Sequence, residues 1–435
     1  MQTVDIVYFY EHAARELDVA CAVTAGLRQR GLRVEILHWP TGFPGAVTRL
    51  RPRLIALPFC YSEQSYEALL AYWREAMFFN LTWEQLFYAG NRSAKTPRGE
   101  FALRHVIHHA WSKEYAMFLQ TEGIPTQSIF LNGQPAYALY DEPYRHYFAS
   151  RADLAARYDL DLTRRWVFFP ENYNWAFYSQ ATLEQFIAKG QSPEDVRSMR
   201  EFCISSLKVV LKWCARAARE ENIELILRPR PSTPRAEFEA FARQVLRDIP
   251  SHFHILQAES VREWILASDV VISSHSTSLI EAALAGKKVY ILEPLPIPAA
   301  LHVEWHDLVT RIRTDKDFLK ICEGADLGDE QSLAEWARKT FMSQGDAIHR
   351  LVDYLADLAL GKIEAPPPAS RQAAVPSLRW IPPAWLWSLY RRGKQFFRFP
   401  GTHGIEPEFV KDFFPRHDVE TRISQWANVI KMSER

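Results

Sequence analysis

Six consecutive polar residues, Ser273-Ser274-His275-Ser276-Thr277-Ser278, stand between an apolar run and a short helical pattern, and five of the six are small. Small residues at the carboxyl end of a strand let a ligand approach the backbone. The free N–H groups at the positive end of a new helix favour a phosphate. Hydroxyls of Ser276, Thr277 and Ser278 add donors, and Glu281, one turn into the helix, can accept from ribose hydroxyls. A plainer reading treats Ser278-x-x-Glu281 as a capping box that closes its own helix start. That accounts for two residues and leaves the rest of the run unexplained, so a ligand is the better reading.

Arg228 and Arg230, in Ile226-Leu227-Arg228-Pro229-Arg230-Pro231, follow an apolar run of their own. Prolines stiffen such a turn, and guanidinium groups match phosphate or carboxylate with paired hydrogen bonds. Either arginine alone reads as a solvated basic turn. Two of them at the sheet edge that also carries the serine run read as an anion site. Glu171 and Asn172, after the run Trp166-Val167-Phe168-Phe169-Pro170, are candidates to line the same crevice. Trp175 joins them, although aromatics there fit a core equally well.

Displacing a phosphate leaving group requires cations or dipoles at the phosphate and a base for the incoming hydroxyl. Glu84, in Thr82-Trp83-Glu84-Gln85, is a carboxylate among aromatics, surroundings that raise a carboxyl pKa toward a useful range. Glu16 follows Arg15 early in the first helical pattern, and Arg15 suits gripping an acidic ligand. A helix-start role for Glu84 and a solvated-surface role for Arg15 and Glu16 stand beside these readings. His108 and His109 are further candidates for the base. Asp159-Leu160-Asp161 reads as a surface loop rather than a metal motif, so neither a metal nor a cofactor is expected.

The elements that must position these residues follow from periodicity. Residues 4–8 predict a strand and 11–30 a helix stopped by Gly31, followed by strands over 33–39 and 54–59. A helix near 114–122 and a strand within 128–133 close this half. The pattern restarts with strands over 166–170, 223–229, 253–257, 269–273 and 288–292 and a long helix over about 194–220. Strand–helix–strand repetition with short connections predicts parallel, doubly wound sheets in both halves. The expected domains are 1–155 and 156–360, with a Pro/Ala linker and an aromatic, basic helical tail over 361–435. Within the tail, 384–399 combines Trp, Phe, Arg and Lys, the composition of a helix that lies on an anionic membrane surface. A C-terminal helix packed back on the domains is the slightly favoured reading beside it, and a homodimer interface is a third.

Lys plus Arg and Asp plus Glu both number 52 in 435 residues, which gives no global electrostatic reason to bind nucleic acid. Five scattered cysteines without a CxxC pair argue for a reducing compartment. The N-terminal segment has no basic lead, and no run reaches the roughly 18–20 apolar residues of a membrane span. A cytoplasmic protein, peripheral at the inner membrane at most, is expected.

The serine loop continuing into Leu279-Ile280-Glu281-Ala282-Ala283-Leu284-Ala285-Gly286, preceded by an Arg-Pro-x-Pro turn, resembles the C-terminal domain of GT-B glycosyltransferases. The pattern is similar to bacterial surface-carbohydrate transferases that use CMP-Kdo and CMP-nonulosonic acids. The likeness extends to residues 14–18, 80–87 and 168–177 and covers about residues 1–360. It implies two Rossmann-like doubly wound domains facing an interdomain cleft, an α/β GT-B fold with a C-terminal helical extension. It also implies a metal-independent transferase that moves a nucleotide-activated sugar, leaning to a CMP-activated acidic sugar, onto a glycan or lipid-linked glycan. Glycerophosphotransferases of teichoic-acid assembly carry a related serine loop, so a CDP-polyol phosphotransferase is an alternative. A nucleotide-sugar epimerase and a non-catalytic sugar-binding subunit are others. Relatives often carry His-Pro where this chain has Arg230-Pro231, which leaves the donor open.

Overall fold

In the computed structural model the described residues are 1–39, 41–61, 67–73, 75–87, 92, 95–188, 190–231, 233–328, 331–368 and 412–433. They form two compact units. The first gathers residues 1–86, 93–147 and the chain from 340 onward; the second holds 87–92 and 148–339.

The first unit is built on a six-stranded sheet of β1 (Gln2–Tyr10), β2 (Val34–His38), β3 (Leu50–Leu57), β4 (Met77–Asn80), β5 (Val106–Ala110) and β6 (Ile129–Leu131), in the order β2-β1-β3-β4-β5-β6. All neighbours pair in parallel. Central parallel strands are covered on both faces, so they read as continuous apolar runs. β1 obeys this, with Val4 to Tyr10 buried throughout. The helix Ala13–Gln29 follows, and Gly31 (φ +81°) supplies the left-handed residue past its end.

That helix is buried nearly all round because two helices from the C-terminal part of the chain cover it: Ala347–Ala359 and Arg416–Ser433. Gly26 permits the first approach, since a Cβ there would lie 3.0 Å from Val352 Cγ2. Trp426 in the second is fully buried and stacks on Tyr147 with ring centroids 3.9 Å apart. Arg28 and Glu420 add a two-pronged ion pair at 2.6 and 3.0 Å, half-exposed on both sides. Such pairs contribute little, so Arg28→Ala is expected to lower stability by about 1 kcal/mol or less in chemical denaturation. A larger loss would mean that electrostatics rather than packing holds the last helix.

The second unit repeats the plan with β7 (Arg165–Pro170), β8 (Ile223–Arg228), β9 (Phe253–Ile255), β10 (Val270–Ser273), β11 (Lys288–Leu292) and β12 (Arg311–Ile312). The order is β12-β11-β10-β7-β8-β9, again parallel throughout. Its core gathers Val167, Phe169, Leu225, Leu227, Val270 and Ile272 from the strands and Cys203, Leu207, Val210 and Cys214 from the long helix Pro193–Ala217.

The domain limits differ from those expected from the sequence. The chain passes to the second unit at 148 rather than 156, and it leaves at 339 rather than 360. The return is stitched by bonds to backbone carbonyls: Gln134 N–H donates to the Phe341 carbonyl at 2.9 Å, and the Asn132 side-chain Nδ2 donates to the Ala347 carbonyl at 2.8 Å. Of the tail, the stretch 384–399 lies outside the described residues, and the membrane-surface expectation lies there with it. Among the described residues no helix is long and apolar enough to cross a membrane.

Candidate functional site

β7, β8 and β10 are neighbours in one parallel sheet, so their carboxyl ends lie side by side. Each runs straight into one of the polar segments singled out above. Ser273 Oγ donates to the Pro170 carbonyl at 2.5 Å and ties β10 to β7. Ser273 and Ser274 are fully buried, which makes them part of the frame rather than ligand donors. Ser276, Thr277 and Ser278 reach the surface. The capping box of the plainer reading is not formed: the N-cap of the helix Ser278–Leu284 is Thr277, whose side chain makes no capping bond. Instead Ser276 Oγ accepts the Ser278 N–H at 3.3 Å. Glu281 stands as a counter-charge to Arg262, 3.8 Å away and only 2% exposed. A guanidinium so deeply buried needs a carboxylate partner.

The two arginines part company. Arg228 is buried and donates through Nη2 to the Glu259 carbonyl at 2.9 Å, while its Nε meets no acceptor. Burial lowers its pKa to about 10. Arg230 is half-buried, and Asn172 Oδ1 accepts from its Nη1 at 2.7 Å. Among the described residues neither guanidinium has a carboxylate at ion-pair distance. Glu171 is fully buried and works on the backbone: its carboxylate accepts the Tyr173 N–H and, at 3.3 Å, the Arg230 N–H. Desolvation raises its pKa, against those two bonds and the Arg230 charge. Glu171 thereby shapes the turn from which Arg230 projects. Trp175 packs against Phe186 and Tyr178 as core.

Two histidines complete this edge. His275 is pushed down to about 3 by burial, with the charges of His306 and Arg230 adding to it. His306, one of the residues sequence reasoning missed, is pushed to about 4, again chiefly by burial. Both imidazoles are neutral at pH 7, and His275 Nδ1 and His306 Nε2 are buried polar atoms without a partner. Cations short of counter-charge beside ring nitrogens short of partners form an environment that an anionic, hydrogen-bonding ligand would satisfy. The sequence signal for His306 was faint, since Glu304-Trp305-His306-Asp307 lies in a loop of no recognisable pattern.

The first unit presents a second cluster at the carboxyl end of β1 and β3. A cavity of about 150 Å³ is lined by Glu11, Arg15, Pro58, Phe59, Tyr61, Trp83 and Glu84. Glu84 does not start a helix, for residues 81–87 form a loop. Its carboxylate is taken by Arg15 Nη1 at 2.7 Å and by Lys95. Glu16, far from being solvated, is fully buried; it accepts the Glu11 N–H at 2.7 Å and Arg15 Nε at 3.0 Å. Both carboxylates are thus engaged by neighbouring donors. Glu11 faces the same cavity with only long contacts, 3.8 Å to Arg15 and 3.7 Å to His12, and burial raises its pKa. It is the functional candidate the sequence reading passed over. The available signal was its position as the first charged residue after β1. His108 and His109 are buried in β5, where His108 bonds Asn80 and the Ala102 carbonyl and His109 the Leu81 carbonyl.

No family model matches the sequence, and no curated protein does. Solved structures match the fold. A protein assigned as a UDP-N-acetylglucosamine 2-epimerase from Listeria monocytogenes superposes with a TM-score of 0.52 at 12% identity, over 85% of this chain and 100% of that one. The S. aureus MnaA–UDP co-structure gives 0.50 at 12% identity over 85% and 100%. The wall teichoic acid polymerase TagF gives 0.52 at 9% identity over 82% and 89%. At this identity the likeness is one of fold, and the chain has the two-sheet α/β fold of the glycosyltransferase-like GT-B class.

Proposed function

We propose that this protein is a glycosyltransferase that binds a nucleotide-activated sugar at the carboxyl edge of its second sheet. Arg230 takes the phosphate, with Arg228 behind it and the exposed hydroxyls of Ser276, Thr277 and Ser278 as added donors. The observation that carries this reading is Arg230 itself, half-buried, oriented by Asn172 and, among the described residues, with no carboxylate at ion-pair distance, beside two neutral imidazoles with unused ring nitrogens. Leaving-group charge would be met by the guanidinium. Arg230 cannot act as a general acid at neutral pH. Glu11, in the cavity of the first unit, is the proposed base for the acceptor hydroxyl, and Arg15 and Glu16 hold the cavity wall around it. The acceptor would be a growing surface polysaccharide or another glycan, and the donor, on the sequence resemblance, a CMP-activated acidic sugar.

The fold likeness to TagF, also solved with CDPG, supports a second reading, a CDP-polyol phosphotransferase. Calorimetric titration with CMP, CDP, UDP and GDP separates the donors. Whichever nucleotide binds, Arg230→Ala is expected to weaken it about 10- to 150-fold, the value of a charge-assisted hydrogen bond of about 1.5–3 kcal/mol. Unchanged affinity in the variant would remove the anion site. Nucleotide binding without turnover on any acceptor would favour a sugar-binding subunit, and a new nucleotide sugar formed without acceptor an epimerase.

A further inference from the structure

The opposite edge of the second sheet carries a cluster that the proposed transfer reaction does not use. Glu224 is the second residue of β8, and His252 and His254 flank Phe253 at the start of β9. Side chains two apart on a strand share a face, and the register Leu225↔Phe253 sets Glu224 beside both histidines. One ligand atom from each of the three lies within 4.8 Å of the others. Glu224 is 2% exposed, and its oxygens are divided between the rings: Oε1 is 3.2 Å from His252 Nδ1, and Oε2 is 2.6 Å from His254 Nε2.

We propose that Glu224, His252 and His254 bind a borderline divalent transition-metal ion, with zinc(II) as the reference ion. Two imidazoles and one carboxylate are a recurrent ligand set for such ions. Zinc–ligand bonds of about 2.0–2.2 Å put tetrahedral ligand atoms about 3.3 Å apart, so an ion would replace the present hydrogen bonds with only small ring movements. The carboxylate is already oriented from behind, since the Asp161 N–H donates to Oε1 at 3.3 Å. His252 and His254 side chains are 34% and 18% exposed, which leaves an entry path and room for water as a further ligand. Arg164 Nε lies 3.8 Å from Glu224 Oε1 and opposes a cation, but its charge is shared with Asp161 Oδ2 at 3.4 Å. That opposition weakens the site, so micromolar rather than nanomolar affinity is expected.

β9 has three residues and is the outermost strand of its sheet. An ion bridging Glu224 to both histidines would clamp it to β8, a structural or regulatory role remote from Arg230. The competing account is a histidine–glutamate hydrogen-bond cluster that needs no ion. Titration of the full-length, chelator-treated protein with cobalt(II), followed by its visible absorption, and with zinc(II) by calorimetry, decides between them. One equivalent bound at micromolar affinity and a raised thermal midpoint are expected. His252→Asn and His254→Asn, each checked for folding by circular dichroism, should weaken binding at least about tenfold. Absence of stoichiometric binding, or binding that both variants retain, overturns the proposal. Nucleotide affinity, read in parallel, should be unaffected by either variant, so failure here and failure of the transferase reading are distinguishable.

Discussion

Glu11→Gln is expected to lower the turnover of sugar transfer by about two to four orders of magnitude, the contribution of a positioned general base. Nucleotide affinity should stay within about twofold, because Arg230 and the serine loop belong to the other unit. The contrast with Glu84 gives the prediction its force. Glu84 already holds Arg15 and Lys95, so neutralising it releases two cations into the cavity and perturbs binding and turnover together. Glu11 holds no such partner closely, and burial keeps its pKa above the ordinary carboxylate value. The acid limb of the rate profile should therefore fall above the pH at which a solvated glutamate titrates. It should vanish in the glutamine variant. Steady-state rates across pH test both points; an E11Q enzyme with wild-type turnover would return the base to another residue.

Acid should unfold this protein well before most of its carboxylates titrate. His108 and His109 in the first unit are both held near pKa 4 by burial, and His275 and His306 in the second near 3 and 4. The unfolded value is about 6.5. A histidine whose folded pKa is depressed stays neutral in the fold while the unfolded chain takes up its proton. Stability is therefore full above about pH 6.5 and falls as pH drops toward the folded values. Each histidine contributes about 1.36 kcal/mol per pH unit. Two of them between pH 6.5 and 5 therefore remove up to roughly 4 kcal/mol from each unit, a large share of an ordinary domain's 5–15 kcal/mol. Glu11 and Glu171, whose pKa values are raised, bind protons in the fold and offset part of the loss at the acid end. Urea midpoints at pH 7 and pH 5 test this; equal midpoints would show that these imidazoles reach solvent in the native state.

Much of the architecture was legible because buried parallel strands leave continuous apolar runs. β1, β7, β8, β10 and β11 all announce themselves this way, and β10 runs into its serine loop where the pattern put it. β5 was lost because Val106-Ile107-His108-His109-Ala110 puts two imidazoles where an apolar run is expected. Those rings are hydrogen-bonded inside the sheet, which periodicity cannot reveal. β12 has two residues, too few for any pattern. Side-chain roles were less legible than strands. Glu281 and Glu16 are sequence neighbours of plausible ligand groups, yet a buried Arg262 claims one and Arg15 with the Glu11 amide claims the other. Such partners are settled by tertiary burial. Glu11 emerged only once the cavity around it was visible.

The second unit is almost wholly one continuous segment, whereas the first needs chain from both sides of it. During synthesis β1 and the helix Ala13–Gln29 leave the ribosome long before Ala347–Ala359 and Arg416–Ser433 exist to cover them. At about 5–20 residues per second the delay is tens of seconds, while the second unit can already close on itself. The nascent chain thus carries this helix uncovered through most of its translation, and its buried residues meet their partners only once Ala347–Ala359 and Arg416–Ser433 have been made.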